Sequence, residues 1–461
     1  MIIKNLQQLI SKVETEQEIF ARKTILELIE VGINSVLPKN LILDSIKLKN
    51  KVLSINDLAL DLSKIKNIYV VGAGKATGAM AELLESVLHT SITEGLVNIP
   101  EGIKQNYNTR IIQLNEAGHP IPSENGMKGA RKIIDIVKKA QEDDLIIVLL
   151  SGGGSALLPL PANSIDLQQL QDLYRLLIKS GATIQEINTV RKHCSQIKGG
   201  QLAKYGFPAT IVSLILSDVI GDSINSIASG PTVPDPTTFD QTINILKNYN
   251  LWEALSPSIR AHLENGLKGI VPETPKPSDN FFQKTYTTLL GDIKTACEAI
   301  NQAAIQKGFQ SQIYSQEVTG EAREASKRFL QYAKNFYINM DDKTIKPIIF
   351  IAGGEPTVTV KGTGIGGRCQ EMGLSIFSEL GELTDIVFAA IGTDGIDGFT
   401  DVAGVIIDRK SLQQAKQKQI NPDKFLLNND SYNFFKLLED SLIITGPTGT
   451  NVNDLLLIGF F

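Results

Sequence analysis

Glycines and a lysine follow a strand-like apolar run early in the chain, in the stretch VVGAGKATGAM (70–80). Gly72, Gly74 and Gly78 form a GxGxxxG pattern, which is one residue longer than the dinucleotide fingerprint, and Lys75 lacks the following Ser or Thr of a Walker A loop. Glycines allow a backbone to approach an anion, and a helix N-terminus beside a lysine attracts one. Spacing alone leaves two interpretations level: a phosphate-binding loop, or a tight turn with its lysine in solvent.

A second glycine-rich loop, SGGGSALLPLP (151–161), follows the most apolar strand-like run of the chain. Consecutive amides flanked by hydroxyl groups can form an anion cradle, and ligands of open α/β sheets bind at the carboxyl ends of strands. We therefore favour a binding role over a flexible turn. The residues predicted to take part are Ser151, Gly152, Gly153, Gly154 and Ser155.

Charged side chains cluster in two further segments of the first half. Arg191 and Lys198 belong to the basic stretch TVRKHCSQIKGGQLA, which is predicted to be a helix ending at 199–200. Its spacing alone favours a solvated basic face. Asp218 and Asp222 follow a strand, where a carboxylate could bind Mg²⁺, accept a proton or simply support a turn.

The second half of the chain contains an arginine and several carboxylates among glycines. Arg368 begins a predicted helix in GGEPTVTVKGTGIGGRCQE, where the helix dipole disfavours a cation. A bound anion beside this arginine would explain its position, and an ordinary ion pair is the alternative. Glu355, Asp394 and Asp397 are candidates for metal or nucleotide contacts, although the DGIDG spacing is not that of an EF-hand loop.

Length, composition and charge limit the classes of protein to which this chain could belong. A chain of 461 residues suggests two domains or three, and 42% hydrophobic with 21% charged residues is ordinary for a globular enzyme. A net charge of -5 argues against a nucleic-acid partner. Three cysteines without CxxC spacing indicate a reducing compartment, and no signal-peptide core or membrane span stands out. We expect a cytoplasmic protein with no membrane partner, and leave a homodimer open.

The elements that must position these residues alternate between apolar strands and amphipathic helices, the pattern of a parallel α/β sheet. Residues 1–35 are predicted to be helical. The Pro-rich segment VPETPKPSDN indicates a domain boundary, and a second α/β series follows it. We therefore predict one domain at 1–275 and another at 285–461. The predicted strands are NIYVVG, GLVNIP, RIIQLN, DLIIVLLS and TIVSLILS, then TTLLGD, QSQIYSQ, PIIFIAGGE, TVTVKG, DIVFAAIGTDG, GVIID and DLLLIGFF.

Glycine-rich loops after strands, cations at helix starts and nearby carboxylates together indicate phosphoryl transfer. That chemistry depends on positioning, positive charge and Mg²⁺ more than on covalent catalysis. These residues do not by themselves identify the group that accepts the phosphoryl.

In their order along the chain, these segments resemble the class II glycerate kinases, the family with a MOFRL domain at its C-terminus. The resemblance covers nearly the whole chain. It implies ATP-dependent phosphorylation of D-glycerate, usually at the 2-hydroxyl, in a cleft between an N-terminal Rossmann-like three-layer domain and a smaller C-terminal α/β domain. The segments that carry it are VGAGKATGAM, EAGHPIP, LLSGGGSALLPLP, TVRKHCSQIKGGQLA, LSDVIGDSINSIASGPTVPDPTTF, AGGEPTVTVKGTGIGGRCQE, AAIGTDGIDGFTDVAG, NNDSYNFF and TGPTGTNVNDLLL.

The resemblance also implies roles for single residues. The family's catalytic lysine falls on Lys75, its arginine on Arg368 and its aspartate on Asp218. Lys75 and Arg368 would neutralise the transferred phosphoryl group, and Asp218 would act as general base or, as second choice, hold Mg²⁺. The family usually has Asn where this chain has Cys369. Further residues predicted to bind substrate or phosphate, besides the 151–155 loop, are Gly72, Gly74, His119, Arg191 and Lys198.

Two functions from other classes compete with a kinase that uses ATP and Mg²⁺. The first is NAD(P)H-dependent reduction of hydroxypyruvate, which the GxGxxxG pattern superficially supports. Against it, GLVNIP ends without the acidic residue that binds the ribose in dinucleotide enzymes. The second is a non-catalytic sensor of sugar acids or nucleotides, which would not need Lys75, Asp218 and Arg368 together.

Overall fold

The structure is a computed structural model that describes residues 1–11, 15–219, 221, 227–340, 347–382 and 386–461. The chain divides into two compact units. One unit, called here the outer-segment unit, combines Met1–Asn40 with Gly291–Phe461, and the other, the central unit, is Leu41–Leu290. Within the described ranges, no helix combines the length and the apolar character that a membrane crossing needs.

Strands and helices alternate through most of the described chain. The strands are β1 Ile46–Lys49, β2 Val52–Ile55, β3 Leu58–Asp61, β4 Ile68–Ala73, β5 Glu94–Pro100, β6 Ile112–Ala117, β7 Leu145–Ser151, β8 Thr210–Leu216, β9 Thr285–Gly291, β10 Gln310–Val318, β11 Ile348–Gly354, β12 Ile386–Gly392, β13 Gly404–Asp408, β14 Leu442–Ile443 and β15 Asp454–Phe460. The α-helices are α1 Leu6–Ser11, α2 Glu16–Ser35, α3 Pro38–Ser45, α4 Thr77–Leu88, α5 Glu124–Val137, α6 Gly154–Leu157, α7 Leu167–Lys179, α8 Ile184–His193, α9 Gln201–Gly206, α10 Phe239–Asn248, α11 Pro257–Leu267, α12 Ile293–Gln306, α13 Ala322–Ile338, α14 Arg368–Ile376, α15 Arg409–Gln417, α16 Pro422–Leu427 and α17 Ser431–Leu438.

The central unit is built on a six-stranded sheet in the order β6-β5-β4-β7-β8-β9. The strands from β6 to β8 run parallel. Every residue of β4 and β7 is buried, because helices α4, α5 and α9 and their neighbours cover the sheet. Numbered within this sheet, the order is 3-2-1-4-5-6, that of dinucleotide-binding Rossmann folds. The predicted Rossmann-like domain is confirmed, and its strand order reverses between β4 and β7.

The outer-segment unit has a mixed six-stranded sheet in the order β10-β11-β15-β12-β13-β14. Among the described strands of this sheet, only β10 and β11 pair in parallel, and the last strand, β15, lies antiparallel between β11 and β12. All seven residues of β15 are buried, as its apolar run predicts. A large core of aromatic and aliphatic side chains joins α13, α14 and α17 to this sheet. The second α/β domain is thereby confirmed.

The N-terminal helices pack with the C-terminal part of the chain, whereas the predicted division put them in the N-terminal domain. Helix α2 packs against α12 and β15. Arg22 is fully buried and donates to Asp408, with 3.0 Å between Nη2 and Oδ1, and to the carbonyl oxygens of Leu9 and Asp440. Sequence periodicity shows that α2 is amphipathic but not which sheet covers its apolar face.

The predicted boundary at VPETPKPSDN is wrong, because this segment is bound into the central unit. Thr274 donates to buried Asp235 at 3.1 Å, and the Asp235 amide donates to the Pro275 carbonyl at 2.8 Å. The following strand β9 completes the first sheet and does not start the second. The predicted strand TVTVKG is also wrong, because the amides of Lys361 and Gly362 donate to the Asn429 side chain in a loop.

Arg22→Ala is expected to lower the free energy of unfolding by about 3–5 kcal/mol, because it leaves the buried Asp408 carboxylate without its cation. Chemical denaturation followed by circular dichroism measures this. Lys23→Ala is the matched control, since Lys23 forms an exposed pair with Glu27 and such pairs contribute under about 1 kcal/mol. Equal free energies of unfolding for the two variants would show that the Arg22 contacts contribute little to stability.

Candidate functional site

The backbone amides of the loop after β4 donate to the end of β7, to the loop that follows it and to β5. Gly72 lies inside β4, and a Cβ there would come within 2.0 Å of the Leu149 carbonyl oxygen, so only glycine fits this close approach. The loop therefore offers an anion its lysine side chain rather than these amides. The amide contacts are Gly74 N to Asn98 O at 3.2 Å, Lys75 N to Gly152 O at 2.8 Å and Ala76 N to Ser151 Oγ at 2.9 Å.

The loop after β7 brings Lys75 and His119 together around Gly153. Gly153 has φ +79° at the start of α6, a left-handed conformation that favours glycine. A Cβ at this position would lie 2.9 Å from the His119 ring and 3.3 Å from Lys75 Cγ. In the part of the chain that the structure describes, no acceptor faces the amides of Gly153, Gly154 and Ser155. A lysine and unpaired amides thus meet at the switch point of the sheet, where ligands bind.

His119 is a neutral histidine in this setting. Burial, and after it the charge of Lys75, lowers the pKa of His119 to about 4. The imidazole therefore adds no positive charge near neutral pH, and can accept or donate one hydrogen bond at each ring nitrogen.

A cavity of about 350 Å³ opens beside this loop and is lined by Arg191, which forms no ion pair with a carboxylate among the residues that the structure describes. The Arg191 guanidinium lies 4.7 Å from the centre of the Tyr174 ring. Burial lowers the pKa of Arg191, and within the described residues neither Arg191 Nε nor the Tyr174 hydroxyl has a hydrogen-bond partner. A half-buried guanidinium whose Nε has no partner among the described residues indicates a place for a small anion. Predicted site residues that line this cavity are His119, Gly152, Gly153, Gly154, Ser155, Arg191 and Asp218.

The side chain of Lys198 supports the loop after β7. Helix α8 ends at His193, so Lys198 lies in the connection to α9 and not on the predicted helix. Its side chain is fully buried and donates from Nζ to the Ser155 carbonyl at 2.9 Å. Burial, with a smaller effect of Arg191, lowers the pKa of Lys198 to about 7. The expected solvated basic face is wrong, and a direct ligand contact for Lys198 stays a prediction.

Three predicted residues therefore shape this site without lining the cavity. Gly72 and Gly74 lie where β4 meets β7, and Ser151 accepts the Ala76 amide. Asp222 lies outside the described residues.

In the outer-segment unit, Arg368 is the first residue of α14, as predicted, and two carboxylates hold its guanidinium. Asp454 faces the edge formed by Nε and Nη2: its Oδ1 accepts from Nη2 at 3.1 Å, and its Oδ2 lies 3.0 Å from Nε as an ion pair. Glu355 accepts from Nη1 at 2.8 Å. Burial is the largest single influence and lowers the pKa of Arg368, but its acidic neighbours, Asp454 first and then Glu355, together raise that pKa overall, so the arginine stays charged. The ordinary ion pair, the alternative considered for Arg368, is present.

Sequence reasoning missed Asp454. The residue starts β15 and is almost fully buried. Burial raises its pKa, and the Arg368 charge opposes this rise. An acidic residue directly before the fully apolar run LLLIGF was the available signal, because a carboxylate there must find a partner as the strand is buried.

Asp397 caps the helix that carries Arg368. Its carboxylate accepts the amides of Cys369 at 3.0 Å and Gln370 at 2.8 Å, and also the Gln370 side chain at 2.8 Å. The Cys369 side chain is fully buried in the core, where burial raises the pKa of its thiol. Asp397 therefore positions α14, and the cysteine that replaces the family's asparagine does not face a cavity.

A second cavity, of about 590 Å³, is lined by Arg368 and Asp394 together with apolar side chains. In the described ranges, no group of three or more His, Cys, Asp or Glu side chains is arranged to hold a metal ion. Mg²⁺ commonly binds through one or two carboxylates, water and substrate phosphates. The carboxylates present fit a magnesium ion that arrives with a nucleotide better than a resident metal.

Lys198→Met is expected to change how stability depends on pH. The unfolded chain keeps a proton on this lysine up to about pH 10.5 and the folded chain only up to about pH 7, so between these values the free energy of unfolding of the wild type rises with pH. Relative to Lys198→Met, the wild type should gain up to about 3 kcal/mol from pH 7 to pH 9.5. Urea denaturation at both pH values measures this difference.

Lys204→Met, at an exposed position of α9, controls for the general loss of a lysine and should follow the wild-type trend. If the free energies of unfolding of the wild type and of Lys198→Met changed in parallel with pH, the pKa of Lys198 would not be lowered by folding.

Comparisons with known proteins agree with this geometry. Residues 24–264 match the family described as a domain of unknown function, DUF4147, and residues 348–454 match the MOFRL family. The D-glycerate 2-kinase of Thermotoga maritima is 37% identical over 437 residues, 95% of this chain and 97% of its own length. A crystal structure of a glycerate kinase from that organism superposes with a TM-score of 0.83, covering 95% of this chain and 99% of that one.

Two other relatives carry names for different activities. The glycerate 2-kinase of Pyrococcus horikoshii is also 37% identical, over 95% of this chain and 96% of its own length. A relative from Agrobacterium vitis, 37% identical over 85% of this chain and 87% of its own length, is named for hydroxypyruvate reduction. The motif resemblance is confirmed by identity along nearly the whole length and by the shared fold, and the chain belongs to the glycerate 2-kinase family.

Proposed function

We propose that this protein phosphorylates D-glycerate at its 2-hydroxyl with ATP, giving 2-phosphoglycerate and ADP. The observation that carries the proposal is the meeting of Lys75, His119 and the Gly153 loop at the switch point of the sheet, in a chain similar over 95% of its length to a D-glycerate 2-kinase. Phosphoryl transfer needs positioned cations and amides more than a covalent nucleophile, and this site supplies both.

D-Glycerate has a carboxylate at one end, and the cavity of the central unit suits it. Arg191 provides a guanidinium that no carboxylate of the described residues pairs with, and the amides of Gly154 and Ser155 provide further donors. Such charge-assisted hydrogen bonds are among the strongest that proteins make. Asp218 lines the same cavity and serves as the base for the 2-hydroxyl.

The transfer step moves one phosphoryl group and one proton. The 2-hydroxyl oxygen attacks the γ-phosphorus, the bond from that phosphorus to the β–γ bridging oxygen breaks, and ADP carries the electron pair away. The hydroxyl proton passes to Asp218. Lys75 and Arg368 stabilise the charge on the phosphoryl oxygens, which is the largest contribution that a protein makes to this reaction.

Mg²⁺, which the kinase activity implies, would enter with the ATP phosphates and neutralise part of their charge. Of the three carboxylates predicted to contact metal or nucleotide, Asp397 is committed to the α14 amides and Glu355 to Arg368. Asp394 accepts the Ile396 amide at 3.1 Å, and its position in the cavity beside Arg368 makes it our candidate for the magnesium complex.

The site offers less to a nicotinamide dinucleotide. In dinucleotide-binding folds the pyrophosphate rests on the backbone after the first strand. Here the amides of Gly74, Lys75 and Ala76 already donate within the protein. A pyrophosphate would have to displace these contacts, so the reductase is the weaker hypothesis.

Phosphorus NMR of purified protein with MgATP and D-glycerate tests the proposed reaction. We expect signals of ADP and 2-phosphoglycerate, and no consumption of NADH in a parallel sample with hydroxypyruvate. A 3-phosphoglycerate signal would keep the kinase and overturn the acceptor position. NADH consumption without ADP would replace the kinase by the reductase.

Lys75→Ala should remove most of this turnover, because it removes the positive charge at the switch point, and should leave the circular dichroism spectrum unchanged, because the glycine-rich backbone of the loop stays in place. Lys104→Ala, at an exposed position, is the matched control and should keep wild-type turnover. A Lys75→Ala variant with near wild-type kcat would show that the phosphoryl group is stabilised elsewhere.

Arg191→Met is expected to raise the KM for D-glycerate by about tenfold or more, because a charged hydrogen-bond donor to the substrate carboxylate is lost. The KM for ATP should change little. Steady-state kinetics with each substrate varied in turn measures both constants, with Arg260→Met as a control on a surface ion pair. A raised KM for ATP with an unchanged KM for D-glycerate would show that Arg191 binds the phosphoryl donor and not the acceptor.

A further inference from the structure

Four apolar side chains stand out in solvent around the second cavity, where Arg368 and Asp394 lie. Their exposed fractions are 68% for Val360, 47% for Ile365, 48% for Ile396 and 102% for Phe399. Single exposed apolar residues are common, but a group of them around one cavity marks a binding surface.

The backbone that carries two of these side chains is firmly held. Ahead of Ile365, the amides of Lys361, Gly362 and Thr363 donate to the side chains of Asn429 and Asn428. The Ile365 amide donates to Asp430 at 2.9 Å, and the Ile365 carbonyl accepts the Tyr432 amide at 2.9 Å. The segment NNDSY therefore anchors the loop, so a ligand would meet apolar side chains that are already in place.

The loop on the other side of the cavity is held as well. The Ile396 amide donates to the Asp394 carboxylate at 3.1 Å, and the Asp397 amide donates to the Val402 carbonyl at 2.8 Å. Phe399 projects from this loop entirely into solvent. A phenyl ring on an anchored loop gains most by stacking on a flat ligand.

Charge at the cavity selects the kind of ligand. Arg368 is held in a fixed orientation by Asp454 and Glu355 and lines the same cavity as the apolar side chains. A matching ligand has a flat apolar part and an anionic part. A volume of about 590 Å³ is in the range of nucleotide-sized sites.

We infer that this cavity binds the nucleotide donor, with the purine base against Phe399 and Ile365 and the phosphates towards Arg368. The inference rests on the proposed function, because it takes ATP to be the donor. It adds the residues that recognise the base, which the charged motifs do not identify.

The test compares ATP with inorganic tripolyphosphate, which has the phosphates but no base. Phe399→Ala and Ile365→Ala should each raise the KM for ATP by roughly tenfold. Their KM for D-glycerate and their affinity for tripolyphosphate, measured by calorimetry, should stay at wild-type values. Ile338→Ala is the matched control, since Ile338 is a 61% exposed residue of α13 that does not line the cavity.

Phe399→Trp provides an independent readout that does not depend on activity. Its added fluorescence, measured against a wild type whose single tryptophan is Trp252, should change on addition of ADP and not on addition of tripolyphosphate. No difference between the two ligands would overturn the base site.

The outcomes separate the two proposals. A wild type that forms no ADP from ATP and D-glycerate defeats the proposed function. A wild type that forms ADP, with alanine variants of unchanged KM for ATP, defeats only the base site. A parallel loss of ATP and tripolyphosphate affinity would mean that these residues act on the phosphates, and would overturn the inference too.

Discussion

The close approach of β4 and β7 is the constraint on which the central unit depends. A Cβ at Gly72 would overlap the Leu149 carbonyl oxygen. In the loop that follows, the Lys75 amide donates to the Gly152 carbonyl and the Ala76 amide donates to Ser151 Oγ. These contacts join the two loops at the point where the strand order of the sheet reverses. The same contacts consume amides that a dinucleotide would need, so the packing that builds the site also favours one chemistry over another.

Two basic side chains with lowered pKa values, fully buried Lys198 and half-buried Arg191, characterise this site. Lys198 is held under the loop through the Ser155 carbonyl, and Arg191 lies against the Tyr174 ring. Burying a charge without a carboxylate is costly, and the lowered pKa of Lys198 expresses that cost. A substrate anion would reduce it for Arg191, since the guanidinium would regain a charged partner. We expect such a site to be selective for anions because it is least favourable when empty.

Much of the fold is predictable from the sequence because the central strands are buried on both faces. Runs such as LIIVLLS and LLLIGF are apolar throughout and are bounded by glycine or charge, so β7 and β15 were predicted correctly. Long-range pairing was not predictable. Residues 1–40 and strand β9 joined units other than expected, because periodicity shows an apolar face without showing what will cover it.

The charged residues show the same limit more sharply. Arg191 and Lys198 have the spacing of a solvated face, yet Lys198 is fully buried, since the helix ends at His193 and the chain turns inward. Asp454 is 86 residues from Arg368 and nothing local links them. Their pairing follows from β15 lying between β11 and β12, which places the first residue of the last strand beside Gly354 and Gly392.

Arg368 shows how a cation can be kept where a helix dipole opposes it. Asp397 accepts the first amides of α14, and Asp454 and Glu355 hold the guanidinium in one orientation. Each carboxylate also offsets some of the positive charge that a phosphate would meet. The arginine thereby loses attraction for anions in general and gains a fixed geometry, which is useful for a phosphoryl group that is positioned by other contacts. Because its carboxylate partners weaken the attraction of Arg368 for phosphate, apolar contacts to a base would supply the remaining affinity. This explains why the exposed side chains of Ile365 and Phe399 lie beside the arginine.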